Sequence, residues 1–236
     1  MRLLVTRPEP DASRQADKLR AMGHEPVLAP LMTIQPIPDA SLQLEGAQAL
    51  IVTSRNALRA IATRGKLEQA RQLPLYAVGD ATAREAAELG FRKIVAGPGT
   101  GEQLAVLIAG KVDPAKGPLV HLAGETLAFD LKSALQTKGF SIRQPVLYAA
   151  VPVEILPPQA SGLLREGRLE GAIFMSPRTA AIFAALTAAE GAVTQASQLR
   201  CYCLSQAVAE ALAPLGARVI VAPHPREEEL LALIVG

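Results

Sequence analysis

Short apolar runs alternate along this chain with longer segments in which apolar residues recur every three or four positions. The runs fall at residues 2–6, 27–29, 49–53, 75–78, 93–96, 119–122, 142–147, 172–175, 200–204 and 218–222. Continuous short runs of Val, Ile, Leu and Ala, bounded by turn residues, are the pattern of strands buried on both faces. Most are followed by a helical pattern. The first helix is predicted over residues 12–22, opened by Arg7-Pro8-Glu9-Pro10-Asp11 and closed by Gly23. Proline and acidic residues suit a first turn, and glycine suits the residue that ends a helix. Strands alternating with helices predict parallel sheets covered on both sides.

The pattern also repeats. ALIVTSRNALRAI from Ala49 resembles AIFMSPRTAAIFA from Ala172, which aligns Ser54 with Ser176. YAVGDATAREAAELG from Tyr76 resembles YCLSQAVAEALAPLG from Tyr202, and the segment from Lys93 resembles the segment from Val219 at the same offset. More faintly, the run from Leu3 tracks the run from Leu119, aligning Gly23 with Gly139. Two similar α/β domains follow, each with a five-stranded parallel sheet. In each half a proline-punctuated stretch follows the second strand, at residues 30–38 and 145–158. Proline breaks helices and biases its predecessor toward extended backbone. These stretches predict two crossings between domains, running either parallel or as an antiparallel hinge.

Composition narrows the classes. Half of the residues are hydrophobic and 19% are charged, so the chain is not disordered by composition. With three Tyr, five Phe and no Trp, the core must be aliphatic, and little is available for stacking bases. A formal charge of +2 gives no reason to expect a nucleic-acid partner. The first residues reach Arg7 and Pro8 too soon for a signal peptide, and no apolar run is long enough to span a membrane. A cytoplasmic monomer is expected. Cys201 and Cys203 would share one strand face as buried, reduced thiols. His24, His121 and His224 lack metal-ligand spacing, so no metal site is expected. GPGTG at 97–101 lacks the third glycine of a dinucleotide fingerprint and the Lys of a phosphate-binding loop, and reads as a turn before a helix.

The opening LLVTRPEPDASRQADKLRAMGHEPVLAPLMTI, then LIVTSRNAL, YAVGDATAREAAELGF, FMSPRTA, CLSQAVAEALAPLG and VAPHPREEELLALI occur in the order found in the uroporphyrinogen-III synthase family, which the chain resembles over nearly its whole length. That resemblance implies two α/β domains joined by a two-stranded antiparallel linker. The first would combine residues 1–35 with 153–236 and the second would span 38–146, with linker segments near 30–38 and 145–153. It implies a cofactor-free lyase that closes hydroxymethylbilane, a linear polycarboxylate, into uroporphyrinogen III with inversion of the last ring.

Such a substrate needs anion-binding positions. Helix N-termini supply unpaired amides and partial positive charge, and in parallel sheets they gather beyond the carboxyl ends of the strands. The candidates at those turns are Arg7, Ser54, Arg55, Gly79, Thr82, Ser176, Arg178, Thr179, Ser205 and Gln206. Hydroxyl residues there are also ordinary helix caps. Tyr148, in the second proline-rich stretch, matches the family's tyrosine near the cleft and is the candidate proton donor to the departing hydroxyl. The competing reading is a non-catalytic two-domain protein that closes on a small anion.

Overall fold

A computed structural model describes residues 1–38 and 40–234. The strands are β1 (Arg2–Val5), β2 (Glu25–Leu28), β3 (Met32–Pro36), β4 (Ala49–Val52), β5 (Leu75–Ala77), β6 (Ile94–Ala96), β7 (Leu119–Gly124), β8 (Ile142–Arg143), β9 (Val146–Pro152), β10 (Gly171–Phe174), β11 (Arg200–Cys203) and β12 (Arg218–Val221). By contacts the chain divides into two compact units. One is Met1–Thr33 with Val151–Gly236, and the other is Ile34–Ala150.

The first unit holds a five-stranded parallel sheet in the order β12-β11-β10-β1-β2. Alternate residues feed opposite faces. Leu4, Ala172, Phe174, Cys201 and Cys203 join one core cluster, while Leu3, Val5, Ile173 and Tyr202 join the other. Because both faces are buried, the strands read as unbroken apolar runs. Phe174 packs on Phe183 of the helix Pro177–Ala189, with ring centroids 5.2 Å apart. Cys201 and Cys203 are free and buried on one face, and burial pushes both thiols up to about 12, so both stay protonated and unreactive. The helix Asp11–Ala21 ends at Gly23, whose φ of 82° lies in the left-handed region that an L side chain rarely adopts.

The second unit holds a sheet in the order β3-β9-β7-β4-β5-β6, with β8 also paired to β7. Leu50, Val52, Leu75, Ala77, Val120 and Leu122 face one cluster, and Ala49, Ile51, Tyr76 and Leu119 face the other. This sheet has seven strands, not the five predicted. The apolar run at 142–147 is two strands, β8 and β9, which follow one another along the same edge of β7. Pro145 separates them because it has no N–H to donate to a ladder. Its carbonyl still accepts from Ala123 N–H at 3.0 Å, which starts the β9 pairing. The proline-rich stretches then add β3 and β9 to the sheet. Within this unit Ile37 N–H donates to Leu147 O at 2.9 Å, and within the first unit Val153 N–H donates to Leu31 O at 3.1 Å. Among the described residues, no helix is long and apolar enough to cross a membrane.

Candidate active site

In the second unit the chain leaves β4 through Thr53 and Ser54 into the helix Arg55–Ala62. Ser54 is extended (φ −151°, ψ 141°) and its Oγ accepts from Asn56 N–H at 3.2 Å, so it caps this helix. Beneath the turn lies His121, 1% exposed. Its Nε2 is 3.2 Å from Thr53 Oγ1, and its Nδ1 is 3.1 Å from Gln144 Oε1. Gln144 Oε1 can only accept, so Nδ1 carries the proton and Nε2 accepts from Thr53. Burial lowers the His121 pKa, which keeps the ring neutral and suited to this arrangement.

Tyr148 comes from β9 and lies against the end of β7, where Gly124 is its partner in register. The side chain is buried, and the Ser54 side chain lies near enough to its hydroxyl to act on its proton. Burial raises the phenol pKa above its ordinary value, and the nearby Ser54 side chain offsets part of that rise. The group therefore holds its proton at neutral pH. It is placed as a donor, not as a base.

Arg59 and Glu85 brace the same turn. The guanidinium grips Glu85 with two bonds of 2.9 and 3.1 Å and reaches Asn56 Oδ1 at 3.1 Å. This ties the helix Arg55–Ala62 to the helix Asp80–Glu88, which starts beyond β5. Gly79 caps that second helix with extended backbone, and its carbonyl accepts from Ala83 N–H at 3.0 Å. Thr82 is buried on the inner face of the helix. Arg55 is half-buried on the first turn of its own helix. The GPGTG segment is a turn, as its sequence predicts. Gly97 and Gly99 donate to Ala77 O and Val78 O, both at 2.8 Å, and Thr100 then caps the helix Gly101–Lys111.

The first unit repeats the arrangement. Ser176 has nearly the backbone of Ser54 (φ −150°, ψ 148°) and caps the helix Pro177–Ala189 through Thr179 N–H at 3.2 Å. Its hydroxyl also meets Thr179 Oγ1 at 2.8 Å, and Thr179 is buried behind it. Arg178 is half-buried on the first turn. Ser205 is likewise extended (φ −155°) before the helix Gln206–Glu210, yet its side chain makes no capping bond. Gln206 beside it is exposed. Capping therefore accounts for Ser54 and Ser176 but not for Ser205. Arg7 is engaged within the protein: Nη1 meets Glu227 Oε1 at 3.1 Å and Nη2 meets Asp11 Oδ2 at 3.5 Å. Gln15 and Lys18 share Glu227 at 3.2 and 2.9 Å, so the acid is the hub of a closed cluster.

The partners of His121, the Arg59–Glu85 pair and Glu227 escaped the sequence reading. All but one of these contacts join residues far apart in sequence. Asn56 and Arg59, three apart on one helix, carried the one local signal. A 670 Å³ cavity lined by Glu68, Arg71, Gln72, Leu89 and Arg92 lies at the amino ends of β5 and β6, away from these turns. Among the described residues no group of three or more His, Cys, Asp or Glu is placed to hold a metal ion.

Residues 13–232 match the family model described as Uroporphyrinogen-III synthase HemD. Among solved structures, the uroporphyrinogen-III synthetase of Helicobacter pylori aligns at 19% identity with a TM-score of 0.67, covering 98% of this chain and 96% of that one. A mutant uroporphyrinogen III synthase of Thermus thermophilus aligns at 17% identity with a TM-score of 0.58, covering 98% and 96%. At such identities the likeness is one of fold. No curated protein gives a significant match.

Proposed function

The chain belongs to the uroporphyrinogen-III synthase family, and on that premise we propose how its polar strand ends handle a linear tetrapyrrole. It is a lyase of tetrapyrrole biosynthesis that closes hydroxymethylbilane to uroporphyrinogen III, inverting the last ring and releasing water.

The observation that carries the mechanism is the buried, proton-holding Tyr148 beside Ser54 at a helix N-terminus. In the first step the terminal C–O bond breaks and the hydroxyl leaves as water with the Tyr148 proton. The electron-rich pyrrole stabilises the carbocation left behind. The substituted carbon of the last ring then attacks, giving a spiro intermediate that rearranges and closes the ring. The proton lost as the pyrroles regain aromaticity restores the phenol. No cofactor is required, because the pyrrole nitrogens supply the electrons. The larger task is reducing a flexible polyanion to one reactive geometry.

For the substrate carboxylates we assign the strand-end turns with their helix amides: Ser54, Arg55 and Gly79 in one unit, and Ser176, Arg178, Ser205 and Gln206 in the other. Thr82 and Thr179 support these turns from behind, since both are buried. Arg7 serves through its cluster with Asp11 and Glu227, fixing the turn after β1. We also read the units as two domains, residues 1–35 with 153–236 and residues 38–146, joined by an antiparallel linker at 30–38 and 145–153. The bonds Ile37–Leu147 and Val153–Leu31, in which one number rises as the other falls, support that reading.

The decisive experiment is incubation with hydroxymethylbilane and analysis of the isomer. Enzymatic closure gives type III. A protein that only binds the substrate leaves spontaneous closure to type I, and that result would overturn the assignment.

A further inference from the structure

We propose that Gly124 is a positioning residue for the reaction: its missing side chain leaves the gap in which the Tyr148 ring lies, and so fixes where the phenol hydroxyl points. The inference rests on the reading of Tyr148 as the proton donor.

Gly124 is the last residue of β7, is buried, and is not among the glycines with positive φ, so its backbone alone does not call for glycine. Space does. A Cβ built on Gly124 would lie 2.6 Å from Tyr148 Cζ, 2.8 Å from its hydroxyl oxygen and 2.9 Å from Cε2. Ordinary carbon contacts begin near ~3.5 Å, so one methyl group cannot coexist with the ring where it now lies. Sliding the strands would not relieve the clash. Ala123 N–H donates to Pro145 O at 3.0 Å and Glu125 N–H donates to Tyr148 O at 2.9 Å, pinning β9 on either side of Gly124. The ladder also shifts register between Ala123 and Gly124, which sets the Tyr148 ring over the glycine. The ring itself must therefore swing away. Its hydroxyl end meets the new atom at close range, so the phenol oxygen is the first part displaced from its place beside Ser54.

The test uses the full chain with Gly124→Ala, Tyr148→Phe and the double variant. Gly124→Ala is expected to lower kcat at least fivefold with KM nearly unchanged. The double variant should turn over within about twofold of Tyr148→Phe, because the alanine acts only through the phenol. Tyr76 and Tyr202 are the other two tyrosines. In a Tyr76→Phe/Tyr202→Phe background, ultraviolet titration should show Gly124→Ala moving the Tyr148 midpoint further up, because the phenol leaves the Ser54 side chain that holds it down; a general packing defect would expose the phenol and move the midpoint down. If Gly124→Ala lowers the melting temperature, Gly124→Ala/Tyr148→Leu should recover it, identifying the clash as one with this ring. Unchanged kcat and titration in Gly124→Ala, or a double variant whose losses multiply, would overturn the role of Gly124 while leaving that of Tyr148 intact. Wild-type turnover in Tyr148→Phe would remove the proton donor itself.

Discussion

Single side chains at the strand ends carry opposite electrostatic demands, and each is met by burial. Tyr148 must keep its proton until the leaving group takes it, and desolvation of the phenolate ensures that. Removing the hydroxyl should slow the reaction without stopping it, because the pyrrole drives much of the departure. We expect Tyr148→Phe to lower kcat about tenfold, below the hundredfold or more typical of a general acid; steady-state rates with hydroxymethylbilane check this. His121 must stay neutral to accept from Thr53. Its folded-state pKa is depressed, so above about 6.5 both folded and unfolded states are neutral and stability is full. Below that pH the unfolded chain takes up a proton that the folded protein refuses, and stability falls. Denaturant midpoints between pH 7.5 and 5.5 should decline, and His121→Asn should flatten that slope.

At the level of helices and strands, the repeat-related serines separate two jobs that sequence makes look alike. Ser176 caps a helix of 13 residues, so Ser176→Ala should cost about 1 kcal/mol of stability. Ser205 caps nothing with its side chain, so Ser205→Ala should leave the unfolding midpoint within about 0.5 kcal/mol of wild type. If its hydroxyl binds substrate, KM should rise about fivefold, the worth of one hydrogen bond. Chemical denaturation and kinetics on the two variants test the distinction together. The Arg59–Glu85 pair ties two helices and is mostly buried. Glu85→Ala would leave the guanidinium without this carboxylate and should cost about 2 kcal/mol, less than the 3–5 typical of a fully buried pair. Its partners lie 26 residues apart, which is why helix periodicity gave no sign of it.

For the whole molecule, the two units offer similar sheets whose carboxyl ends carry related turns. A ligand that binds only the folded protein stabilises it by mass action. A porphyrin octacarboxylate at a hundred times its Kd should raise stability by about 2.7 kcal/mol, read as a higher melting temperature. A neutral porphyrin ester of the same size should give no shift.

The order of strands and helices, the parallel sheets and the turn residues were legible in the sequence, because burial on two faces imposes continuous apolar runs and each helix start imposes a short polar turn. Family membership was legible too, in the succession of those turns. The seven-stranded second sheet was not, since the pairing of β9 with β7, which merges the linker segments with the sheet, is a choice of partner that no local pattern encodes. Nor was the engagement of Arg7 by Glu227, which joins the first turn to the last helix. Tyr148 stood out in the sequence, but the partners that give it a role, Ser54 and Gly124, are brought to it by strand register. Local periodicity fixes which face of an element is buried. Only closing long loops decides which buried groups meet.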